Sequence, residues 1–202
     1  MAYPKRSDEL VTVDEYLAGE ASSAVRHEFV DGLIYAMAGA TEAHIVIAAN
    51  LTAALTVRAP DASRVFPSDM KVEFRNDEVS RFYYPDVVVA CGEHDNARDR
   101  RSDPRLIIEV LSPSTERADR SEKFEIYKQL ETMGEYVLVD QVRKQVEVFR
   151  RANNWQREVY LPDQAIQLES VGVKLTFDEV YRRVDLDQAA NDSRAEAEQN
   201  VR

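Results

Sequence analysis

Cysteine is nearly missing from this chain of 202 residues. Cys91 stands alone, which excludes an intramolecular disulfide and any cysteine-based zinc cluster. At the end of an apolar run it reads as a small packed residue. Also lacking is any apolar run close to the roughly 20 residues that cross a bilayer, and residues 1–16 contain no apolar h-region. These absences predict a cytoplasmic protein with no membrane partner. Positive charge is the third shortage: 26 Lys and Arg face 37 Asp and Glu, a net of −11. An acidic protein is a poor nonspecific binder of nucleic acid. The excess acid lies mostly outside residues 92–128, where Arg98, Arg100, Arg101, Arg105, Arg117, Arg120, Lys123 and Lys128 can form a local cationic surface, the first four reading equally well as solvated loop charges interleaved with acids. No internal repeat, helix-turn-helix or zinc finger is present.

What is present suits a soluble globular protein, with 44% hydrophobic and 31% charged residues, enough for one core. We expect a single domain over residues 1–184 and a disordered acidic tail over 185–202, which has no aromatic residue. Thr12-Val13-Asp14-Glu15 is a capping-box pattern that predicts a short helix through Ala18, ended by Gly19. Two strand-like runs, 27–30 and 33–37, flank Asp31-Gly32, the pair that favours a type I′ hairpin. Residues 41–59 predict a long helix with an apolar face of Ile45, Ala48, Ala49, Leu51, Thr52 and Leu55. Strands are expected at 64–66, 69–74 and 82–91. The unbroken run 106–111 reads as a buried central strand. An amphipathic helix over 119–132 ends at Gly134, strands follow at 136–140, 145–149 and 155–161, and a second capping box at Thr176 opens a helix through Arg183. This order predicts a mixed α/β or α+β domain with one central sheet.

Two of the strand-type runs each carry one carboxylate among residues that belong in a core. Asp86 follows Tyr84-Pro85, and Glu109 interrupts Leu106-Ile107-Ile108-Glu109-Val110-Leu111. An isolated carboxylate inside a sheet is expensive to bury, so each must be paired, protonated or bound to a cation. If the strands are neighbours, both can converge on one hard divalent ion, with the Val110 backbone carbonyl as a further oxygen ligand. Such an ion polarises a phosphoryl oxygen and lowers the pKa of bound water. Lys123, on the next helix, can offset charge on a phosphate. The plainer reading is a structural ion pair with Arg105 or Lys123, and a lysine that snorkels beside an apolar stripe. Tyr127, at i+4 from Lys123, either orients the lysine or fills the core. Glu28, His44 and Asp69 are possible accessory groups. Each has an ordinary alternative as a surface strand residue, a helix-start polar residue and a strand-start acceptor.

These residues also resemble a family. Pro85-Asp86 with Ile108-Glu109-Val110 is similar to the PD-(D/E)xK nuclease superfamily. More narrowly, Glu28-Phe29-Val30-Asp31-Gly32-Leu33-Ile34-Tyr35, His44, Ser68-Asp69-Met70, Tyr84-Pro85-Asp86-Val87-Val88-Val89, Glu109-Val110-Leu111-Ser112-Pro113-Ser114-Thr115, Asp119-Arg120, Lys123 and Tyr127 resemble the Uma-type restriction endonucleases. The resemblance implies a restriction-endonuclease-like core, a mixed sheet flanked by helices, with Mg²⁺ or Mn²⁺ as metal and Asp86 and Glu109 as its ligands. It implies DNA as substrate, and a homodimer is the simplest way to cut both strands. The superfamily's usual lysine position is Leu111 here, and the resemblance transfers that role to Lys123. A nuclease-fold binding module without hydrolysis, or a hydrolase of another phosphoester, fits the same residues.

Overall fold

A computed structural model describes residues 10–37, 39–91 and 98–199. The first capping box forms as its pattern predicts. Thr12 accepts from Glu15 N–H, and the Glu15 carboxylate accepts from Thr12 N–H at 2.9 Å, opening helix α1 (Val13–Glu20), which runs just past Gly19. Strands β1 (His27–Val30) and β2 (Leu33–Ala36) form the hairpin. Asp31 and Gly32 both take positive φ, 47° and 90°, as a type I′ turn requires.

Helix α2 (Glu42–Arg58) starts at the Thr41 cap, as expected. Its buried row is Ala43, Ile47, Leu51 and Leu55, an i, i+4 ladder. Ile45 is not part of it: the residue is 56% exposed on the opposite side. The expected apolar face therefore mixed two sides of the helix.

The expected strand 82–91 is two strands, β5 (Ser80–Tyr83) and β6 (Val87–Cys91), in different sheets. Tyr84-Pro85-Asp86 separates them, and Pro85 has no N–H to give to a ladder. Cys91 is exposed rather than packed, its Sγ 2.9 Å from Ser63 Oγ. Among the described residues, the strands form two sheets and a ribbon instead of one sheet. Strands β3 (Ser63–Pro67), β6, β8 (Pro104–Leu111), β9 (Glu135–Asp140), β10 (Val146–Arg150) and β11 (Arg157–Tyr160) make a six-stranded mixed sheet of order β11-β10-β9-β8-β6-β3. Only β8 and β9 within it are parallel. The hairpin joins β4 (Lys71–Arg75), β5 and β7 (Arg100–Arg101) in a five-stranded sheet of order β2-β1-β5-β4-β7. A two-stranded ribbon of β12 (Ile166–Leu168) and β13 (Val173–Leu175) covers part of the core.

Helix α3 connects the parallel pair β8 and β9. It comprises Glu116–Ala118, a wider π-helical turn Asp119–Lys123, and Phe124–Tyr127, and so ends short of the expected Thr132. The central sheet is buried on both faces. Leu106, Ile108 and Val110 pack with Val87, Val89 and with Ile47, Leu51 and Leu55 of α2. Ile107 and Leu111 pack with Val88, Tyr127 and Tyr136 on the α3 side. Alternation along β8 places Glu109 on that second face. The second capping box, Thr176 with Glu179, opens α4 (Phe177–Val180). The segment expected to be disordered carries helix α5 (Leu186–Gln199). Ala189 is buried there, and Gln141 donates to Ser193 Oγ at 3.1 Å, contacts that a reading of polar composition alone does not register.

Candidate active site

The β5–β6 break and the middle of β8 meet because β6 and β8 pair antiparallel, with Val87 opposite Ile108. Asp86 and Glu109 are therefore neighbours. Asp86 N–H donates to Glu109 Oε2 at 3.3 Å, and Asp86 Oδ2 accepts from Val110 N–H at 2.7 Å. Asp86 Oδ1 lies 2.8 Å from His44 Nε2, brought in on the first turn of α2. The Val110 contact seen is through its N–H. In an extended strand the carbonyl of a residue projects to the same edge as its N–H, so that oxygen is on the Asp86 side.

Lys123 is 5% exposed and sits at the centre of the carboxylates. Its Nζ lies 3.0 Å from Glu28 Oε1, 3.2 Å from Asp119 Oδ1 and 3.4 Å from Glu109 Oε1. Tyr127 OH donates to Glu109 Oε1 at 3.4 Å, and its ring packs edge-on against Tyr83. Glu28, on β1, also accepts from Tyr84 N–H at 3.5 Å. The π-helical turn helps to set this geometry, since it leaves both Asp119 and Lys123 buried.

The electrostatics follow from burial with too few cations. Desolvation raises the carboxyls of Glu28, Glu109 and Asp119, Glu109 well above the usual range, and the Lys123 ammonium only partly offsets it. For Lys123 burial opposes the charge, yet Glu109, Glu28 and Asp119 outweigh it and hold the ammonium well above its ordinary value. Burial likewise pulls His44 down, and the Asp86 hydrogen bond together with the charges of Asp86, Asp119 and Glu196 more than restores it. His44 Nδ1 is buried without a hydrogen-bond partner.

Glu28, His44, Asp86, Glu109 and Lys123 line one cavity, and Tyr127 backs it from the core. Asp69 is not among them. Its side chain is 76% exposed and pairs with Arg26 at 3.2 Å on the surface. Sequence reasoning missed Asp119 as a site residue. The signal was its i, i+4 spacing to Lys123. Among the described residues no three His, Cys, Asp or Glu side chains form a ready metal cage. The donor set still suits a hard cation completed by water: Asp86 and Glu109 offer oxygen, and the cavity holds more carboxylates than cations.

A family model described as "Uma2: Putative restriction endonuclease" matches residues 13–178. Two curated relatives come from Synechocystis sp. "Uncharacterized protein slr1290" is 32% identical over 188 residues, covering 89% of this chain and 93% of the relative. "Uncharacterized protein sll1609" is 33% identical over 151 residues, covering 73% and 84%. Among solved structures, one described as a putative nuclease belonging to DUF820, from Anabaena variabilis, superposes with a TM-score of 0.69 at 19% identity, covering 85% of this chain and 97% of that one. At that identity the likeness speaks for the fold.

Proposed function

The chain belongs to the Uma2 family, and from that premise we propose that it is a metal-dependent endonuclease hydrolysing DNA phosphodiester bonds. The observation that carries this proposal is the convergence of Asp86 and Glu109, from separate strands, with Lys123 3.4 Å from Glu109 Oε1, in one cavity. Asp86 and Glu109, with the Val110 carbonyl, would hold Mg²⁺ or Mn²⁺, which supplies Lewis acidity toward a phosphoryl oxygen and a more acidic water. The chain's own residues do the rest. His44 fixes the Asp86 carboxylate through Oδ1, and Val110 N–H fixes it through Oδ2. Tyr127 OH orients Glu109 from the core side. Lys123 carries the positive charge that offsets a phosphate, and exchanges Glu28 or Asp119 for the incoming oxygen. A symmetric dimer would present two such sites to the two strands.

The test is nicking of supercoiled plasmid with Mg²⁺ or Mn²⁺ by wild type, Asp86→Ala and Glu109→Ala. We expect nicking by wild type and a loss of ~100-fold or more in each variant, the scale on which single electrostatic groups act. Equal activity in all three sinks the assignment. A second reading, a nuclease-fold binding module without hydrolysis, is favoured by one observation: Lys123 is already engaged by three carboxylates. Titration with Mn²⁺ separates the two, because a binding module has no need of an ion between Asp86 and Glu109.

A further inference from the structure

The cavity around the cluster is about 640 Å³ and has two unlike ends. At one end stand Asp86, Glu109, Asp119 and Lys123. The other wall is the outer face of α2, where Ile45, Ala48, Ala49, Thr52 and Ala53 all reach the lining. Ile45 is the large residue of that face, and it is 56% exposed although it sits two positions from the fully buried Ile47. The wall is apolar, built mostly from small side chains and continuous with the polar cluster. Tyr35 of β2 adds an aromatic side chain to the same lining.

Charge sets what this cavity accepts. Among the described residues of its lining, Lys123 is the one Lys or Arg, against the carboxylates of Glu28, Asp86, Glu109, Asp119 and Glu196. Duplex DNA carries one charge per ~1.7 Å of axis, and proteins that grip it neutralise several phosphates. A single lysine, with whatever ion the carboxylates hold, answers one phosphate. Glu196, supplied by α5 beyond the span of the family match, repels a second phosphate and can accept from the exocyclic amino group of a base. The volume falls in the range of small-ligand pockets, which are mostly apolar with a few placed polar groups.

We propose that the site takes one nucleotide out of the stack, its phosphate at the Asp86–Glu109–Lys123 end and its base against the α2 wall, so that the substrate is single-stranded or extrahelical DNA rather than a paired step. Unstacked bases cost little to present in such strands, whereas a paired base must first be unpaired and flipped. This rests on the phosphodiesterase proposal above for its chemistry, and on the cavity for its selectivity.

Two measurements on the full-length protein test it. The first is calorimetric binding of dCMP, deoxyribose 5-phosphate and inorganic phosphate in the presence of Mg²⁺, to wild type and to Ala49→Phe and Ala53→Phe. Both variants fill the wall from exposed helix positions, and their melting curves check folding. We expect dCMP to bind at least tenfold more tightly than the sugar phosphate, and each phenylalanine to erase that advantage. The second is cleavage of an end-labelled single strand, its paired duplex, and the duplex carrying one unpaired nucleotide. The single strand and the interrupted duplex should be cut at least tenfold faster than the paired one. Equal binding of dCMP and the sugar phosphate, or a duplex cut as fast as the single strand, overturns the inference and leaves the hydrolysis standing. Base-dependent binding without cleavage of any DNA does the reverse. No binding and no cleavage removes both.

Discussion

Two buried polar regions lie on the central sheet, and their carboxylates Glu147 and Glu109 are balanced in opposite ways. At the far edge, Glu147 receives both Arg120 and Arg157, each through two nitrogens at 2.6–3.0 Å. Nearby, Glu135 takes Arg150 Nε at 2.7 Å, the N–H groups of Glu169 and Ser170, and Ser170 Oγ. Every one of those carboxylate oxygens has a donor. Around Lys123 the ratio inverts, with Glu28, Glu109 and Asp119 sharing one ammonium. The physical signs agree: two guanidiniums outweigh burial and hold Glu147 down at about 2, whereas burial pushes Glu109 up. Two guanidiniums on the one Glu147 carboxylate lock a sheet edge. Surplus carboxylate stores a demand for positive charge that an ion can meet.

The largest expected effect tests the balanced region. Arg150→Ala leaves Glu135 buried without its cation, and we expect a loss of ~3–5 kcal/mol in urea unfolding. A loss under ~1 kcal/mol would remove the basis for calling that region structural. Next comes the neutral isostere on each side. Glu135→Gln strands several donors and should cost ~1–3 kcal/mol. Glu109→Gln removes a buried charge that desolvation opposes, so its melting temperature should equal or exceed that of wild type while nicking is lost. A Glu109→Gln protein that melts as low as Glu135→Gln makes the two regions alike.

Acid titration sharpens the contrast further. Glu147 is depressed from 4.5 to about 2, so its contribution is fully present above its unfolded value and is lost as pH falls through the folded one. Wild type should lose stability between about pH 4.5 and 2, and Glu147→Gln should show a shallower slope in that window by circular dichroism. Identical slopes contradict the pairing. The smallest effect belongs to Asp69→Ala. Its exposed pair with Arg26 is of a kind worth ~0–1 kcal/mol, and neither stability nor nicking should change measurably. A drop in nicking would return Asp69 to the site.

Local features were legible in the sequence because their causes are local. The Thr12–Glu15 and Thr176–Glu179 boxes and the Asp31-Gly32 turn need only three or four residues to form. Asp86 and Glu109 were legible by incongruity, as charges in apolar runs. What was illegible depends on distant partners. Arg150 is an ordinary surface type in sequence, yet it is 4% exposed because Glu135 lies across from it on β9. Helix α5 is polar by composition and held by Ala189 and Ser193 against the body of the protein. The break at Pro85 was visible, but an apolar run on each side of it masked the change of sheet.

The π-helical turn at Asp119–Lys123 bears on how this chain is aligned with its relatives. Such a turn amounts to one residue inserted into an α-helix. A relative with a straight helix would have to be aligned with a one-position gap between the Asp and the Lys. Without it, every position after the turn shifts frame, and Lys123 is matched to the wrong neighbour. Deleting Ser121 imitates such a relative: the wider turn absorbs the extra residue, so the shortened segment can wind as a regular α-helix and still present the lysine on nearly the same face. The spacing from Glu109 to Lys123 is therefore a property of this helix's winding, and a search for the lysine at fixed distance would pass over homologues that lack the bulge.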